Sequence, residues 1–203
     1  MGDPKFSRRM FTRPSHPWEG ERIKAENELL KKYGLKNKRE LWKAQSVLRR
    51  FRQRARQLQA LVRSANPQAE KERGELLARL GRLGLLPLDG AALDDVLALD
   101  VEAVLSRRLQ TLTFVKGLAF TPRQARQFIV HGHVSVSGRR VDVPGYLVSR
   151  GDEGTIVYDP RSPIAHDLHP ARPGAPVPEP LVAPEGEGPA EGGPPPGPGG
   201  EVP

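Results

Sequence analysis

A long amphipathic helix dominates the first half of the sequence. It begins at Asn37, with Glu40 three residues later as its capping-box partner, and Pro67 stops it after about residue 65. Apolar residues recur along it at alternating intervals of three and four: Leu41, Ala44, Leu48, Phe51, Ala55, Leu58 and Val62. This spacing places them in one stripe. The pattern therefore predicts a helical amino-terminal region built around this element.

The face opposite the stripe is basic. No acidic residue occurs between Glu40 and Ala65, so ion pairs cannot form within this run of the helix. At 100° per residue, four arginines point away from the stripe: Arg39, Arg49, Arg50 and Arg56. An unpaired basic face of this kind indicates external phosphates as its partners.

The net charge of +8 over 203 residues is unevenly distributed. Residues 1–66 hold 18 Lys and Arg against 6 Asp and Glu, and residues 67–103 hold 4 against 8. Residues 104–166 hold 9 against 4, and residues 167–203 hold 1 against 6. The basic excess of the first block is larger than solubility requires. We therefore expect a nucleic acid as the partner of that block, whose terminal arm contains the basic cluster Arg8, Arg9 and Arg13.

Composition excludes several classes of protein. The absence of cysteine excludes disulfides, thiol catalysis and cysteine-based zinc sites. No apolar stretch is long enough to span a membrane, and the start of the chain has no apolar signal-peptide core. We expect a cytoplasmic protein without a membrane partner. From Leu168 onward 12 prolines and 8 glycines fall among 36 residues, which predicts a disordered tail.

Besides the long helix, further helices are expected over about 19–33, 68–83, 91–98 and 101–112. A second module follows the acidic residues 67–103, and it contains a strong helix start at Thr121-Pro122-Arg123-Gln124. The helix that starts at Thr121 is expected to have His131 as its last residue, because Gly132 then terminates it. Its inner face is apolar, and its outward residues are Arg123, Arg126, Gln127 and His131. Because neither arginine has an acid four residues away on its own helix, we expect both to face an external anion.

The hydrophobic period then changes to two, which predicts short antiparallel strands. Val134 and Val136 precede a Ser137-Gly138 turn, after which come Val141 and Val143 and later residues 156–158. The four valines are expected in the core. The predicted fold class is α+β: a helical region over 1–103, a helix-pair and antiparallel-strand domain over 104–166, and the disordered tail over 167–203.

Specific runs in this module resemble the S4 RNA-binding domain. They are Ser106-Arg107-Arg108-Leu109-Gln110, the Thr121–Arg126 helix start, and His131-Gly132-His133-Val134 through Gly138-Arg139-Arg140-Val141. The opening Met1–Lys5, His16-Pro17-Trp18 and the run from Lys31 to Trp42 extend the resemblance to the small-ribosomal-subunit proteins for which the domain is named, in their archaeal and eukaryotic form. It covers about residues 1–166.

The resemblance implies a structural constituent of the small subunit and a primary binder of small-subunit ribosomal RNA at a helical junction. It also implies roles in assembly and in decoding fidelity near the messenger-RNA entry, with other small-subunit proteins and mRNA as partners. The domain surface implied to bind RNA comprises Arg107, Arg108, Arg123, Arg126, His131, Arg139 and Arg140. Arginine can engage RNA phosphates with two hydrogen bonds, while Gln and His bind 2′-hydroxyls.

Other functions are weighed against this one. His131-Gly132-His133 offers no evident third metal ligand, and no cofactor is expected. An enzyme is not expected, because Gly81-Arg82-Leu83-Gly84 has glycine where pseudouridine synthases carry their catalytic Asp, and no nucleotide-binding glycine motif occurs. The alternative that stays open is a free RNA-binding stress or ribosome-rescue factor, which would not need the long helical region.

Overall fold

The computed structural model describes residues 10–64, 66–88, 90–166 and 169–173. Seven α-helices and three short β-strands lie within these ranges, which confirms the α+β class. They are α1 (Gly20–Tyr33), α2 (Lys38–Arg63), α3 (Pro67–Arg82), α4 (Leu93–Ala98), α5 (Val101–Ser106), α6 (Leu109–Val115), α7 (Pro122–Val130), β1 (Val134–Val136), β2 (Arg139–Arg140) and β3 (Val157–Tyr158). None of these helices is both long enough and apolar enough to cross a membrane.

The apolar stripe of α2 serves two cores. Leu41, Ala44 and Leu48, in its first half, pack with α1 and α5. Ala55 and Leu58, in its second half, pack with α3 and α4. The predicted helix and stripe are therefore confirmed, and α2 connects the two cores of the helical region. Because α5 contributes to the first of these cores, that core extends across the expected boundary at residue 104.

The single helix predicted over 101–112 is wrong. The helix is interrupted between α5 and α6. There the backbone of Arg108 is extended (φ −73°, ψ 142°) and pairs with Leu147 as an isolated β-bridge. The backbone N–H of Leu109 donates to the carbonyl of Tyr146 at 2.8 Å, and that of Val148 donates to Arg107 at 3.1 Å. These long-range hydrogen bonds replace helical ones, and local periodicity contains no sign of them.

The carboxyl-terminal module contains a three-stranded antiparallel sheet in the order β2-β1-β3. Its core includes residues of α6 and α7 together with both valines of the central strand β1. Ser137 and Gly138 both have positive φ, as a tight two-residue hairpin turn requires, which confirms the predicted turn. The expectation for Val143 is wrong: β2 ends at Arg140, and Val143 is 55% exposed.

The two regions meet at a joint centred on Gln110, which is 1% exposed. Its side-chain nitrogen lies within hydrogen-bond distance of the carbonyls of Tyr33 (3.1 Å), Gly34 (2.9 Å) and Pro122 (2.9 Å). Gly34 has φ +59°, and a Cβ there would lie 2.8 Å from the Cβ of Pro122. The turn after α1 therefore fits directly against the start of α7.

Residues 169–173 pack on the carboxyl-terminal module. The carbonyl of Ala171 accepts a hydrogen bond from the Gln124 side chain at 2.9 Å. The Arg172 guanidinium lies over the Tyr158 ring, 4.8 Å from its centroid, and also donates to the carbonyl of Ala165. The segment expected to be disordered thus begins with an anchored stretch, and residues 174–203 lie outside the described residues.

Candidate nucleic-acid interface

The outward face of α7 presents polar groups to solvent. Thr121 caps the helix by accepting a hydrogen bond from the backbone N–H of Gln124 at 3.2 Å, and Pro122 occupies the first turn. Arg123 and Gln127, one turn apart, are exposed and make no side-chain hydrogen bond within the described part of the chain. They are in position to bind a ligand that approaches this face.

Arg126, unlike Arg123, has an acidic partner among the described residues. Its guanidinium forms an ion pair with Glu40 of α2, with Nη2 at 2.6 Å from Oε1 and Nη1 at 3.2 Å from Oε2. Arg126 was expected to face an external anion, but it pairs with an acid of its own chain, which comes from an element 86 residues earlier. Arg126 therefore joins α7 to α2.

Arg108 shares the same carboxylate. It is 7% exposed, and its Nη2 donates to Oε2 of Glu40 at 2.7 Å. Burial acts to raise the pKa of Glu40, but the hydrogen bonds from Arg126 and Arg108 outweigh it, so the pKa lies below its ordinary value. Asn37 does cap α2 by accepting from the N–H of Glu40, but the Glu40 carboxylate turns to the two arginines, so the expected capping box is only half formed.

Arg107 is also committed within the fold. Its Nη1 donates to Glu153 at 2.9 Å, and its guanidinium lies close enough to Gly84 that a Cβ there would be 2.9 Å from it. Both members of the Arg107-Arg108 pair are therefore held by acidic partners. The break between α5 and α6 turns them towards the protein.

A cleft of about 560 Å³ opens beyond the end of α7. Gly132 ends the helix with φ +75°, and its missing Cβ leaves room for Arg140, whose Nη2 donates to the carbonyl of His131 at 3.0 Å. His133 and Arg161 also line the cleft. Burial and the nearby charges of His131 and Arg140 lower the pKa of His133, which favours its neutral imidazole.

His131 and His133 lie beside each other at this cleft. His131 and His133 have ring centroids 6.0 Å apart, and no third ligand joins them. Across the whole described part of the chain, no three His, Cys, Asp or Glu side chains come together in a group that could hold a metal ion. Arg139 and Arg140, the two residues of β2, are exposed at the edge of the sheet.

The predicted basic face of α2 is exposed. Arg39, Arg49, Arg50 and Arg56 are all solvent-accessible, and none forms an ion pair or side-chain hydrogen bond with another described residue. Two further arginines of the helix are held in place: Arg52 donates to the carbonyl of Leu99, and Arg54 pairs with Glu72. The predicted Arg8 and Arg9 lie outside the described residues.

Two residues that position this interface were missed from the sequence. Glu40 holds two of the expected RNA-binding arginines, and Gln110 links three carbonyls at the joint. For Glu40 a signal was available, because it is the last acid before a run of 29 residues without one, from Leu41 to Ala69. For Gln110 there was none, since a glutamine in an otherwise apolar helix face gives no indication of its partners.

Comparison with known proteins agrees with this architecture. Residues 107–153 match the family model of the S4 domain, so the carboxyl-terminal module belongs to that class of RNA-binding domain. The chain is also 52% identical to the small ribosomal subunit protein uS4 of Thermoplasma acidophilum over 172 residues, which is 85% of this chain and 86% of the relative.

Two further archaeal relatives give the same result. Identity to uS4 of Methanococcus aeolicus is 52% over 172 residues, covering 96% of that protein. Identity to uS4 of Methanothermobacter thermautotrophicus is 49% over 172 residues, covering 98% of it. In each case the alignment spans 85% of this chain and therefore includes most of the helical region. The chain belongs to the uS4 family of small ribosomal subunit proteins, which confirms the resemblance seen in the sequence.

Proposed function

We propose that this chain is a structural constituent of the small ribosomal subunit that binds the subunit's ribosomal RNA. The observation that carries the proposal is the exposed face of α2, whose four arginines have no acidic partner among the described residues. Such a face costs electrostatic self-repulsion unless an anion covers it. The similarity to uS4 proteins of the small ribosomal subunit, about 50% identical over most of the chain, supports ribosomal RNA as that anion.

The RNA surface has two parts. The first is the α2 face, formed by Arg39, Arg49, Arg50 and Arg56. The second is the outer rim of the S4 module, formed by Arg123, Gln127, His131, Arg139 and Arg140. Arg107, Arg108 and Arg126 support this rim, because their ion pairs with Glu153 and Glu40 fix where α6 and α7 lie. Arginine and amide groups in this arrangement suit phosphates and 2′-hydroxyls in a shallow RNA groove.

Several finer assignments belong to the same proposal. The protein binds early in assembly at a helical junction of the RNA, contacts other small-subunit proteins, and lies near the messenger-RNA entry, where it contributes to decoding fidelity. It works in the cytoplasm. Its role is structural and not catalytic, as the relatives' description as ribosomal subunit proteins supports.

A free RNA-binding stress or rescue factor is the disfavoured alternative. Such a factor would need the S4 module alone, whereas the identity to uS4 proteins runs through the helical region as well. Sedimentation separates the two functions. Small subunits washed in high salt retain a constituent protein but lose a loosely bound factor, so recovery in the wash supernatant would overturn the proposal.

Binding to purified small-subunit rRNA provides the direct test. Six to ten phosphate contacts predict that log affinity falls with log salt at a slope of roughly −4 to −9. A slope flatter than about −2 would contradict RNA binding through these surfaces.

A further inference from the structure

A groove of about 710 Å³ lies between α2 and α3. Four arginines line it, two from each helix: Arg50, Arg54, Arg79 and Arg82. The first pair is one turn apart on α2, and the second pair lies in the last turn of α3. Arg54 also pairs with Glu72 of α3, so the two helices lie side by side here and both arginine pairs line the same groove.

The groove carries an excess of positive charge. Glu72 pairs with Arg54, which leaves Arg50, Arg79 and Arg82 without an ion pair in the described part of the chain. Glu75, one turn before Arg79, neither pairs with it nor lines the groove. Cations near the end of α3 are favourable for the helix dipole. That effect explains why the last turn is basic but not why its arginines converge with those of α2.

The floor of the groove is apolar, and its residues are Val47, Phe51, Leu76, Leu83 and Leu147. Phe51 packs on the core shared by α2, α3 and α4, and the part of its side chain that remains accessible adds to the apolar floor. A concave surface with low-dielectric walls concentrates the field of the arginines around it. The chemistry therefore suits phosphates, with sugar carbons against the floor.

We propose that the α2–α3 groove binds the sugar–phosphate backbone of RNA, using Arg79 and Arg82 together with Arg50. The proposal rests on the proposed function and adds to it a third contact surface, which shares Arg50 with the α2 face and is otherwise contributed by a segment that is acidic overall. Residues 67–103 hold 4 Lys and Arg against 8 Asp and Glu, yet two of those four cations lie at this groove.

A matched pair of double variants tests the site. Arg79→Gln with Arg82→Gln removes two charges from the groove. Lys71→Gln with Arg73→Gln removes two charges from exposed positions of the same helix that do not line it. The full chain and both variants are titrated with purified small-subunit rRNA at salt concentrations from about 50 to 300 mM, a range in which the number of phosphate contacts determines how steeply affinity falls.

The groove variant should bind at least about tenfold more weakly, with a salt slope lower in magnitude by about two. The control should change affinity less than about threefold, and both should keep the melting temperature of the parent. If thermal melting shows that the groove variant is damaged, Arg79→Lys with Arg82→Lys replaces it. That variant keeps the charge and should preserve the slope while weakening affinity, because lysine cannot form the bidentate contact.

Equal behaviour of the groove variant and its control would overturn the proposal, and the groove would then be assigned to an acidic protein partner. The parent protein's own slope tests the proposed function separately. A flat slope for the parent refutes RNA binding as a whole, whereas a steep parental slope with an unaffected groove variant refutes only this site.

Discussion

Replacing Glu40 with Gln tests whether Arg108 and Arg126 stabilise the fold through this carboxylate, in contrast to the arginines proposed to contact RNA. The carboxylate is mostly buried between Arg108 and Arg126, and the side-chain exposures of the three groups are 16%, 9% and 23%. The substitution keeps the shape but removes the charge, so Arg108 stays buried against a neutral amide. Breaking a buried pair by removing one partner costs about 3 kcal/mol at the lower end of the observed range.

That loss converts into a measurable change in melting temperature. A chain of this size loses roughly 2–4 °C per kcal/mol, so Glu40→Gln should melt roughly 6–12 °C below the parent at pH 7. The control is Glu102→Gln. Glu102 pairs with Lys32 at 2.5 Å, but both side chains are about half exposed, so solvent screens the pair and Glu102→Gln should melt close to the parent. Circular dichroism at the helix band gives both melting temperatures.

The pH dependence gives a second readout of the same contact. Because the folded-state pKa of Glu40 lies below its unfolded value of about 4.3, the ionised carboxylate stabilises the fold at pH values above that. This stabilisation is lost as the pH falls through the folded-state pKa. The difference in stability between the parent and Glu40→Gln should therefore be constant from about pH 6 to 8 and shrink below about pH 4.

Arg126→Ala provides the opposite arm of the experiment. It should lower the melting temperature by a similar amount but weaken rRNA binding less than about threefold, since the guanidinium is already paired and the Arg108–Glu40 pair and Gln110 still hold the joint. A normal melting temperature with a tenfold loss of RNA affinity would refute this reasoning. It would mean that Arg126 leaves Glu40 and contacts RNA.

Three further outcomes follow from particular contacts. Arg123→Ala should leave the melting temperature within about 2 °C, because the side chain is exposed and unpaired, and should weaken rRNA binding roughly tenfold in a filter-binding assay, about 1–2 kcal/mol for one charge-assisted contact. Gly34→Ala should destabilise the fold by about 2–3 kcal/mol in urea titrations, since it combines a left-handed backbone with a clash against Pro122; a cost under 1 kcal/mol would contradict the joint. Truncation after Pro173 should leave melting and RNA affinity unchanged, whereas a truncation that also removes Ala171 should lower the melting temperature by a few degrees, and equal melting of the two would count against the anchored stretch.

Local signals in the sequence predicted the elements that local chemistry determines. The stripe of α2, the Thr121 cap of α7 and the Ser137-Gly138 turn each depend on residues within a few positions of one another, and all three are confirmed. The exposure of the α2 arginines was predictable for the same reason, because helical spacing separates them from the stripe.

Long-range partners could not be predicted from spacing. Glu40 reaches Arg126 across 86 residues and Arg108 across 68, so a search for acids within one turn of α7 missed it. The break between α5 and α6 likewise depends on hydrogen bonds to residues 146–148. Net charge by segment also concealed the α2–α3 groove, because averaging over 67–103 hid two arginines placed on one side of α3.

The joint at Gln110 and the Glu40 ion pairs also affect how strongly the whole protein binds. They hold the α2 face and the rim of the S4 module in one fixed relation, so once one surface is bound to RNA the other is already at the distance its site requires. The second contact is then intramolecular, with an effective concentration that a flexible tether could not reach. Because little orientational freedom remains to be lost, loosening the joint should speed dissociation even if every arginine that touches RNA is kept.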